Sequence, residues 1–181
     1  PIFAVIAESY GQARTAAKLG KIQYVSSPPL LTISEAIEGN SFVSDSYTLK
    51  RGNVDEEMDK AKLKTSGSLV IGGQEHFYLE GQVALAIPME DGDIFLQCSS
   101  QHPSEVQHNV ASILGLPANS ITVEVRRMGG AFGGKESQPT QWAALAALAA
   151  LKTGKPVKCR LDRDDDMIMT GKRHDVEGHW S

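Results

Sequence analysis

Residues 121–153, ITVEVRRMGGAFGGKESQPTQWAALAALAALKT, predict a strand, a glycine-rich loop and a helix in direct succession. Apolar Ile121, Val123 and Val125 alternate with polar residues, a period of two that is typical of a half-buried strand. Four glycines then fall within 128–135, where they predict a loop. A strand that passes through such a loop into a helix indicates a domain of mixed α and β structure.

The helix predicted after this loop consists almost entirely of alanine and leucine. Pro139 is suited to its first turn, while Gly154 and Pro156 are typical of residues that follow a helix end. Because all faces of this helix are apolar, we expect it to be buried on every side.

The sequence on both sides of this stretch predicts further helices and strands. Apolar residues recur at helical spacing from Pro103 to Leu114, and Asp162 is a suitable N-cap for a helix that ends near Thr170. Together these elements predict an α+β fold with a mixed, largely antiparallel sheet and packed helices. The further strands are predicted at residues 68–71, 77–87, 94–99 and 157–161.

The N-terminal part of the chain has a different pattern. Apolar residues predict strands at 2–7 and 22–25, and the stretch 11–19 between them predicts a helix. Residues 34–62 are polar, charged and poorly periodic, with glycine–asparagine turn signals. This segment predicts a long connection between two domains.

Composition excludes several classes of protein. The 181 residues are sufficient for one domain and a piece of a second, and a net charge of −4 without a basic stripe argues against a nucleic-acid partner. The longest apolar run, residues 142–151, is too short to cross a bilayer, so no membrane partner is expected. Cys98 and Cys159 lie far apart without a CxxC spacing, so we expect a reducing, cytoplasmic location.

The glycine-rich loop carries the strongest chemical signal in the sequence. Glycines allow a ligand to approach the main chain, and the N–H groups that begin the next helix favour oxygen-rich or anionic groups. A purely structural turn is the alternative. The spacing from Gly129 to Gly134 and Lys135 resembles a nucleotide-binding P-loop, but Glu136 stands where Ser or Thr would hold magnesium. Nucleotide binding is therefore the weaker hypothesis.

Gln101 is a second candidate site residue. It follows one predicted strand and precedes a predicted helix, where a neutral amide can donate a hydrogen bond without adding charge. The acidic residues at 162–166 lack the glycine and the final glutamate of a calcium loop. They predict a helix N-cap and an acidic first turn instead.

Several collinear segments resemble one known family. They are GGQEHFYLE at 72–80, SQ at 100–101, RRMGGAFGGKE at 126–136 and LDR at 161–163. Together they resemble the molybdenum-binding subunit of bacterial xanthine dehydrogenase, in the xanthine oxidase/aldehyde oxidase superfamily, and the likeness extends along the whole chain.

The resemblance implies that the chain is an internal fragment with three parts. Residues 1–31 would be the C-terminal part of an α/β hammerhead domain, and residues 32–61 would be a linker. Residues 62–181 would be the truncated N-terminal part of the molybdopterin-binding domain.

The resemblance also implies roles for particular residues. Gln101 would bind the cofactor and approach the metal, as would Phe132, while Gly130 and Gly133 would carry the main chain past the cofactor. Glu136 would form hydrogen bonds with a purine substrate. No catalytic residue is implied within this fragment, which we expect to be inactive alone.

The implied activity is that of a molybdenum hydroxylase that oxidises hypoxanthine to xanthine and xanthine to urate. Its cofactor would be molybdenum-molybdopterin, with 2Fe-2S clusters and FAD on a partner subunit or domain. The expected partners are the purine, the FAD/iron–sulfur subunit and the remainder of the molybdenum subunit. A non-catalytic binding or assembly module of the same fold and an aldehyde-oxidising relative are the alternatives.

Overall fold

The helices and strands of the chain fall into two units, which a computed structural model describes over residues 2–181. Residues 2–22 and Glu75–Lys172 form the first unit, and Gln23–Gln74 and Arg173–Ser181 form the second. The helices are α1 (Tyr10–Ala17), α2 (Ile33–Glu38), α3 (Val54–Lys60), α4 (Pro103–Leu114), α5 (Pro139–Thr153) and α6 (Arg163–Met169). The strands are β1 (Gly67–Ile71), β2 (Val83–Pro88), β3 (Ile94–Cys98), β4 (Ile121–Glu124), β5 (Val157–Arg160) and β6 (Val176–Trp180).

The first unit is built on a four-stranded sheet in the order β4-β3-β2-β5. Strand β2 pairs antiparallel with β3 and with β5, whereas β3 pairs parallel with β4. A tight 3₁₀ turn joins β2 to β3, and Asp91 and Gly92 adopt positive φ angles of 56° and 84° there. The predicted α+β class, with a mixed and largely antiparallel sheet, is confirmed.

One face of this sheet packs against α4 and α5 to form the hydrophobic core. Ala84 and Ala86 of β2 are almost completely buried, as are Ala143 and Ala147 of α5. Alanine adds little bulk, so the helix lies close to the sheet and enlarging these residues would overpack the interface. The remaining core residues are Ile94, Leu96, Cys98, Val106, Val110, Ala111, Ile121, Ala144, Ala146 and Ala150.

The predicted helices of the first unit are present, with one correction. Helix α4 ends at Gly115 in the left-handed conformation, and the side chain of Asp162 accepts a hydrogen bond from the N–H of Asp165 as the N-cap of α6. The expectation that α5 is buried on every side is wrong. Leu148 and Leu151 are 41% and 36% exposed, because α4 and the sheet pack against the opposite side of the helix, which carries Trp142 and the buried alanines.

The N-terminal segment forms fewer regular elements than the sequence predicts. Helix α1 is present, with the Ser9 side chain as its N-cap, but the strands predicted at 2–7 and 22–25 are absent from the described structure. Apolar residues alone do not make a strand, since each strand needs a neighbour for its backbone hydrogen bonds. The strand predicted at 77–87 likewise begins only at Val83.

The second unit contains a small sheet and two short helices. Strands β1 and β6 pair antiparallel, with Gly67 opposite Trp180. The segment predicted to be irregular at 34–62 instead contains α3 and most of α2, because Thr32 with Glu35 forms a capping box and Asn53 caps α3. Within the described part of this unit, no residue is buried. The division of the chain at 31/32 and 61/62 stays a prediction.

None of the helices within residues 2–181 is both long enough and apolar enough to span a lipid bilayer.

Candidate functional site

The glycine-rich loop after β4 requires glycine for its backbone conformation. Gly130 and Gly133 have φ angles of 94° and 88°, a region that side chains disfavour. Phe132 between them also has a positive φ, of 53°, and its side chain is 74% exposed. An aromatic residue held in this conformation stores strain, which is typical of ligand-binding loops.

Two other glycines allow the loop to touch the segment before β2. A Cβ atom on Gly129 would lie 2.6 Å from the Cβ of Glu80, and one on Gly134 would lie 2.7 Å from the Cε1 atom of Tyr78. Both approaches are closer than carbon atoms tolerate. Only glycine therefore allows the loop to lie against residues 78–80.

Gln101, between β3 and α4, is hydrogen bonded to this loop. Its side-chain Oε1 accepts from the N–H of Gly133 at 3.1 Å and from the N–H of Lys135 at 3.2 Å. Its own backbone N–H donates to the carbonyl of Lys135 at 2.8 Å. Because two N–H donors meet the same side-chain atom, that atom is the oxygen. The exposed Gln101 side chain is left with its NH₂ group as a free donor among the described residues.

Lys135 is the only lysine of the described chain whose side chain is fully buried, with 0% exposure. Its Nζ lies 3.1 Å from Oε2 of Glu80 and 2.9 Å from Oγ of Ser99, and 4.7 Å from the centre of the Tyr78 ring. Burial lowers the pKa of Lys135 below its ordinary value, while the hydrogen bond and charge of Glu80 oppose this change.

Glu80 gathers three donors on one carboxylate oxygen. Its Oε2 accepts from the Ser99 hydroxyl at 2.6 Å, the N–H of Gly129 at 2.9 Å and the ammonium group of Lys135 at 3.1 Å. Burial raises the pKa of Glu80, but these three donors outweigh burial and hold the pKa below its ordinary value. The carboxylate therefore joins the start of the loop, its end and the β3 terminus.

A second buried polar network supports the loop from beneath. The Tyr78 hydroxyl donates to Oδ1 of Asp166 at 2.6 Å, and the backbone N–H of Gln82 donates to Oδ2 of the same residue at 2.6 Å. Gln82 in turn donates through Nε2 to the Tyr78 oxygen and to the carbonyl of Gly134, both at 3.0 Å. Burial, followed by the hydrogen bond to Asp166, raises the pKa of Tyr78.

The structure brings some of the predicted site residues together. Gln101 contacts Gly133 directly, and Gly130 and Phe132 lie in the same loop. Glu136 follows the loop with an exposed side chain that makes no hydrogen bond within the described residues. Gln101 and the loop residues thus form one surface with a free NH₂ donor, and Glu136 carries a free carboxylate at the end of the loop.

Sequence reasoning missed the residues behind this surface. Every second residue from 78 to 82 faces the loop, namely Tyr78, Glu80 and Gln82. The motif at 72–80, which contains the first two, mixes polar and aromatic residues and predicts a site wall and a sheet interface equally well. Their alternation is the one sequence signal that could have identified them.

The residues present fit a planar, oxygen-rich cofactor. Gly133 is exposed, and no atom lies within 4 Å of the position that a Cβ would take there, so the main chain at this point of the loop is open to a ligand. Gln101 adds an unpartnered NH₂ donor beside it. A pterin is a flat heterocycle whose nitrogen and oxygen atoms are suited to main-chain partners.

Comparison with known proteins identifies the class. Residues 35–181 match the family described as the molybdopterin cofactor-binding domain, and the chain belongs to this family. The curated relatives include the xanthine dehydrogenase/oxidase of Gallus gallus, which is 46% identical over 180 residues and 99% of this chain. Aldehyde oxidase 2 of Macaca fascicularis is 44% identical over 181 residues, or 99% of the chain. The chain spans 13% of the length of each.

Solved structures show the same fold. Quinoline 2-oxidoreductase from Pseudomonas putida 86 aligns with 92% of this chain and 22% of its own at a TM-score of 0.78 and 24% identity. The aldehyde oxidoreductase from Desulfovibrio gigas aligns with 93% of this chain and 19% of its own at a TM-score of 0.79 and 24% identity. The predicted family and its molybdenum-molybdopterin cofactor are confirmed.

Proposed function

We propose that this chain forms one wall of the molybdenum and purine site of a xanthine dehydrogenase, a cytoplasmic enzyme that oxidises hypoxanthine to xanthine and xanthine to urate. The observation that carries the proposal is the presence of two free polar groups beside the same loop. The side-chain oxygen of Gln101 accepts hydrogen bonds from the loop, so its NH₂ group stays free. Glu136 has a free carboxylate at the loop end.

Gln101, Gly130, Phe132 and Gly133 would hold the cofactor. When bound, molybdopterin supplies a redox-active molybdenum centre that accepts the two electrons of the oxidation. The NH₂ group of Gln101 would donate a hydrogen bond to the bound cofactor and would stabilise negative charge there without adding a fixed charge. The ring of Phe132, which is 74% exposed, would cover this side of the cofactor and exclude water from it.

Glu136 would bind the purine. A carboxylate accepts hydrogen bonds from the N–H groups of a purine ring, and a charged acceptor makes such bonds stronger than a neutral one. The side chain has no competing partner among the described residues, so it is available for substrate.

The complete enzyme needs parts beyond this chain. We assign no catalytic residue to residues 1–181, and the base of the reaction would come from the remainder of the molybdenum subunit. The 2Fe-2S clusters and FAD of a partner subunit or domain would carry the electrons away.

An aldehyde-oxidising enzyme is the second candidate, since aldehyde oxidase 2 of Macaca fascicularis is nearly as similar as the xanthine dehydrogenase/oxidase of Gallus gallus. The two candidates differ in what Glu136 does. A purine has N–H groups that reach a carboxylate, whereas a small aldehyde has none.

The substitution Glu136→Gln in the complete enzyme tests the proposal. Loss of a charge-assisted hydrogen bond costs roughly 1.5 to 3 kcal/mol, so kcat/KM for xanthine should fall on the order of ten- to a hundredfold. Turnover of a small aldehyde should change little. Steady-state kinetics with both substrates measure this, and Glu90→Gln, in the distant turn between β2 and β3, is the matched control.

The outcomes separate the two candidates. Equal losses on both substrates would assign Glu136 to support of the loop. An unchanged kcat/KM for xanthine would contradict the purine-binding role.

A further inference from the structure

We propose that Lys135 is a positioning residue, whose buried ammonium group anchors the end of the glycine-rich loop and thereby sets where Gln101 presents its NH₂ group. The proposal rests on the proposed function only for the use of that NH₂ group. The anchoring itself is a property of the folded chain.

The first step is the burial of the Lys135 charge. Placing an ammonium group at 0% exposure is costly unless its hydrogens are satisfied. Glu80 and Ser99 supply two partners, at 3.1 and 2.9 Å, and the face of the Tyr78 ring supplies a third contact. An apolar side chain would fill this space at a lower desolvation cost. What the ammonium group adds to packing is its pair of hydrogen bonds to Glu80 and Ser99.

The second step is the main chain of the same residue. The N–H of Lys135 donates to Oε1 of Gln101, and its carbonyl accepts from the N–H of Gln101 and, at 3.4 Å, from the hydroxyl of Ser100. The main chain of Lys135 is therefore bonded to both the side chain and the main chain of Gln101.

The third step joins these contacts. The side chain of Lys135 holds Ser99 while its main chain holds Gln101, two residues further along the same segment. Two attachments to one segment fix the orientation of the loop end relative to residues 99–101 as well as its distance from them. Without the ammonium group, Ser99 and Glu80 still bond each other, but the end of the loop loses its side-chain attachment.

Hydrogen exchange tests the anchoring without any cofactor. In the complete, cofactor-free protein, Lys135→Met should speed amide exchange in peptides covering residues 128–137 by about tenfold, because the N–H groups of Gly133 and Lys135 would open more often. Peptides covering β2 and β3 should exchange as before. Lys152→Met, at an exposed position near the end of α5, is the matched control. Unchanged exchange in the loop peptides would overturn the proposal.

A double-substitution cycle tests whether Lys135 acts through Gln101. In the cofactor-loaded enzyme, with turnover counted per molybdenum, Lys135→Met alone should lower kcat about tenfold and leave KM within about twofold. In a Gln101→Ala background the same substitution should lower kcat less than about twofold further. If Lys135→Met lowers kcat by the same factor in the Gln101→Ala background as in the wild type, the two residues act independently and the proposal is overturned.

The two measurements separate this inference from the proposed function. If Gln101→Ala turns over at the wild-type rate, the role of its NH₂ group fails, and the exchange rates alone then decide on the anchoring. If Lys135→Met does not fold, Ser99→Ala and Glu80→Gln each remove part of the anchor. Faster loop exchange in both supports the proposal, and unchanged exchange in both overturns it.

Discussion

At the scale of single residues, Glu80 shows how one carboxylate can join three separate segments. Its Oε2 accepts hydrogen bonds from Ser99, which follows β3, from Gly129 at the start of the loop and from Lys135 at the loop end. All three bonds are strongest when Glu80 is ionised, because a protonated carboxyl has less negative charge to offer them.

The stability contributed by Glu80 should therefore depend on pH. Its pKa in the folded protein is lowered, so this stability is present above the unfolded pKa of about 4.3 and is lost as the pH falls through the folded pKa. Glu80→Gln should have a lower Tm than the wild type at pH 7. The difference should shrink as the pH falls below the unfolded pKa and through the folded one, because the wild-type carboxylate is then protonated and loses its charge.

Thermal unfolding of both proteins between pH 3 and pH 7 measures this difference. Glu56→Gln, at an exposed position in α3, is a control for the loss of a surface charge. A gap in Tm that stays constant down to pH 3 would contradict the role given to Glu80.

At the scale of elements, the loop is defined by its close packing against residues 78–80. Gly134→Ala should be destabilising by roughly 1 to 3 kcal/mol, because its Cβ would lie 2.7 Å from the Tyr78 ring and 2.9 Å from the His76 ring. Gly11→Ala is the matched change, since no atom lies within 4 Å of its Cβ in α1. It should stabilise by about 0.4 to 1 kcal/mol. Chemical denaturation of the two variants compares the effects, and equal effects would contradict the close packing.

Elements with strong local signals could be predicted from the sequence. Helix α5 follows from its composition and from Pro139 and Gly154, and the N-cap of α6 follows from Asp162. The segment before β2 could not be predicted, because Phe77 adopts a φ of 50° and the side chains of Tyr78 and Gln82 bond to the distant Asp166 and Gly134. These are tertiary contacts that override an apolar pattern.

The candidate site divides in the same way. The glycine loop is visible in the sequence because four glycines fall within residues 128–135, whereas the role of Gln101 follows from the family resemblance. Lys135, Glu80 and Ser99 are not visible, since Lys135 is 55 residues from Glu80 and 36 from Ser99. The residue pattern of a short stretch of sequence does not show which polar groups far apart in the chain are in contact in the fold.

At the scale of the whole molecule, burial is concentrated in the first unit. Within the described residues, those below 9% exposure all belong to it, whereas apolar side chains of the second unit such as Val43 and Leu63 are 107% and 94% exposed. Segments with few buried contacts open at low free energy.

Limited proteolysis of the 181-residue chain should reflect this difference. Chymotrypsin should cut after Phe42 and Tyr47, which are 59% and 87% exposed, well before it cuts after Tyr78 or Trp142, at 1% and 3%. Mass spectrometry of early fragments identifies the sites. First cleavage within α5 would contradict the assignment of the core.

The hydrogen bonds between Gln101 and the glycine loop have a consequence for how a cofactor would bind. Both partners belong to this chain, and so do Lys135 and Glu80 behind them. The entropy of ordering the loop is thus lost during folding and is not lost again when a cofactor arrives. A cofactor would then bind to a loop whose conformation is already set by contacts within this chain.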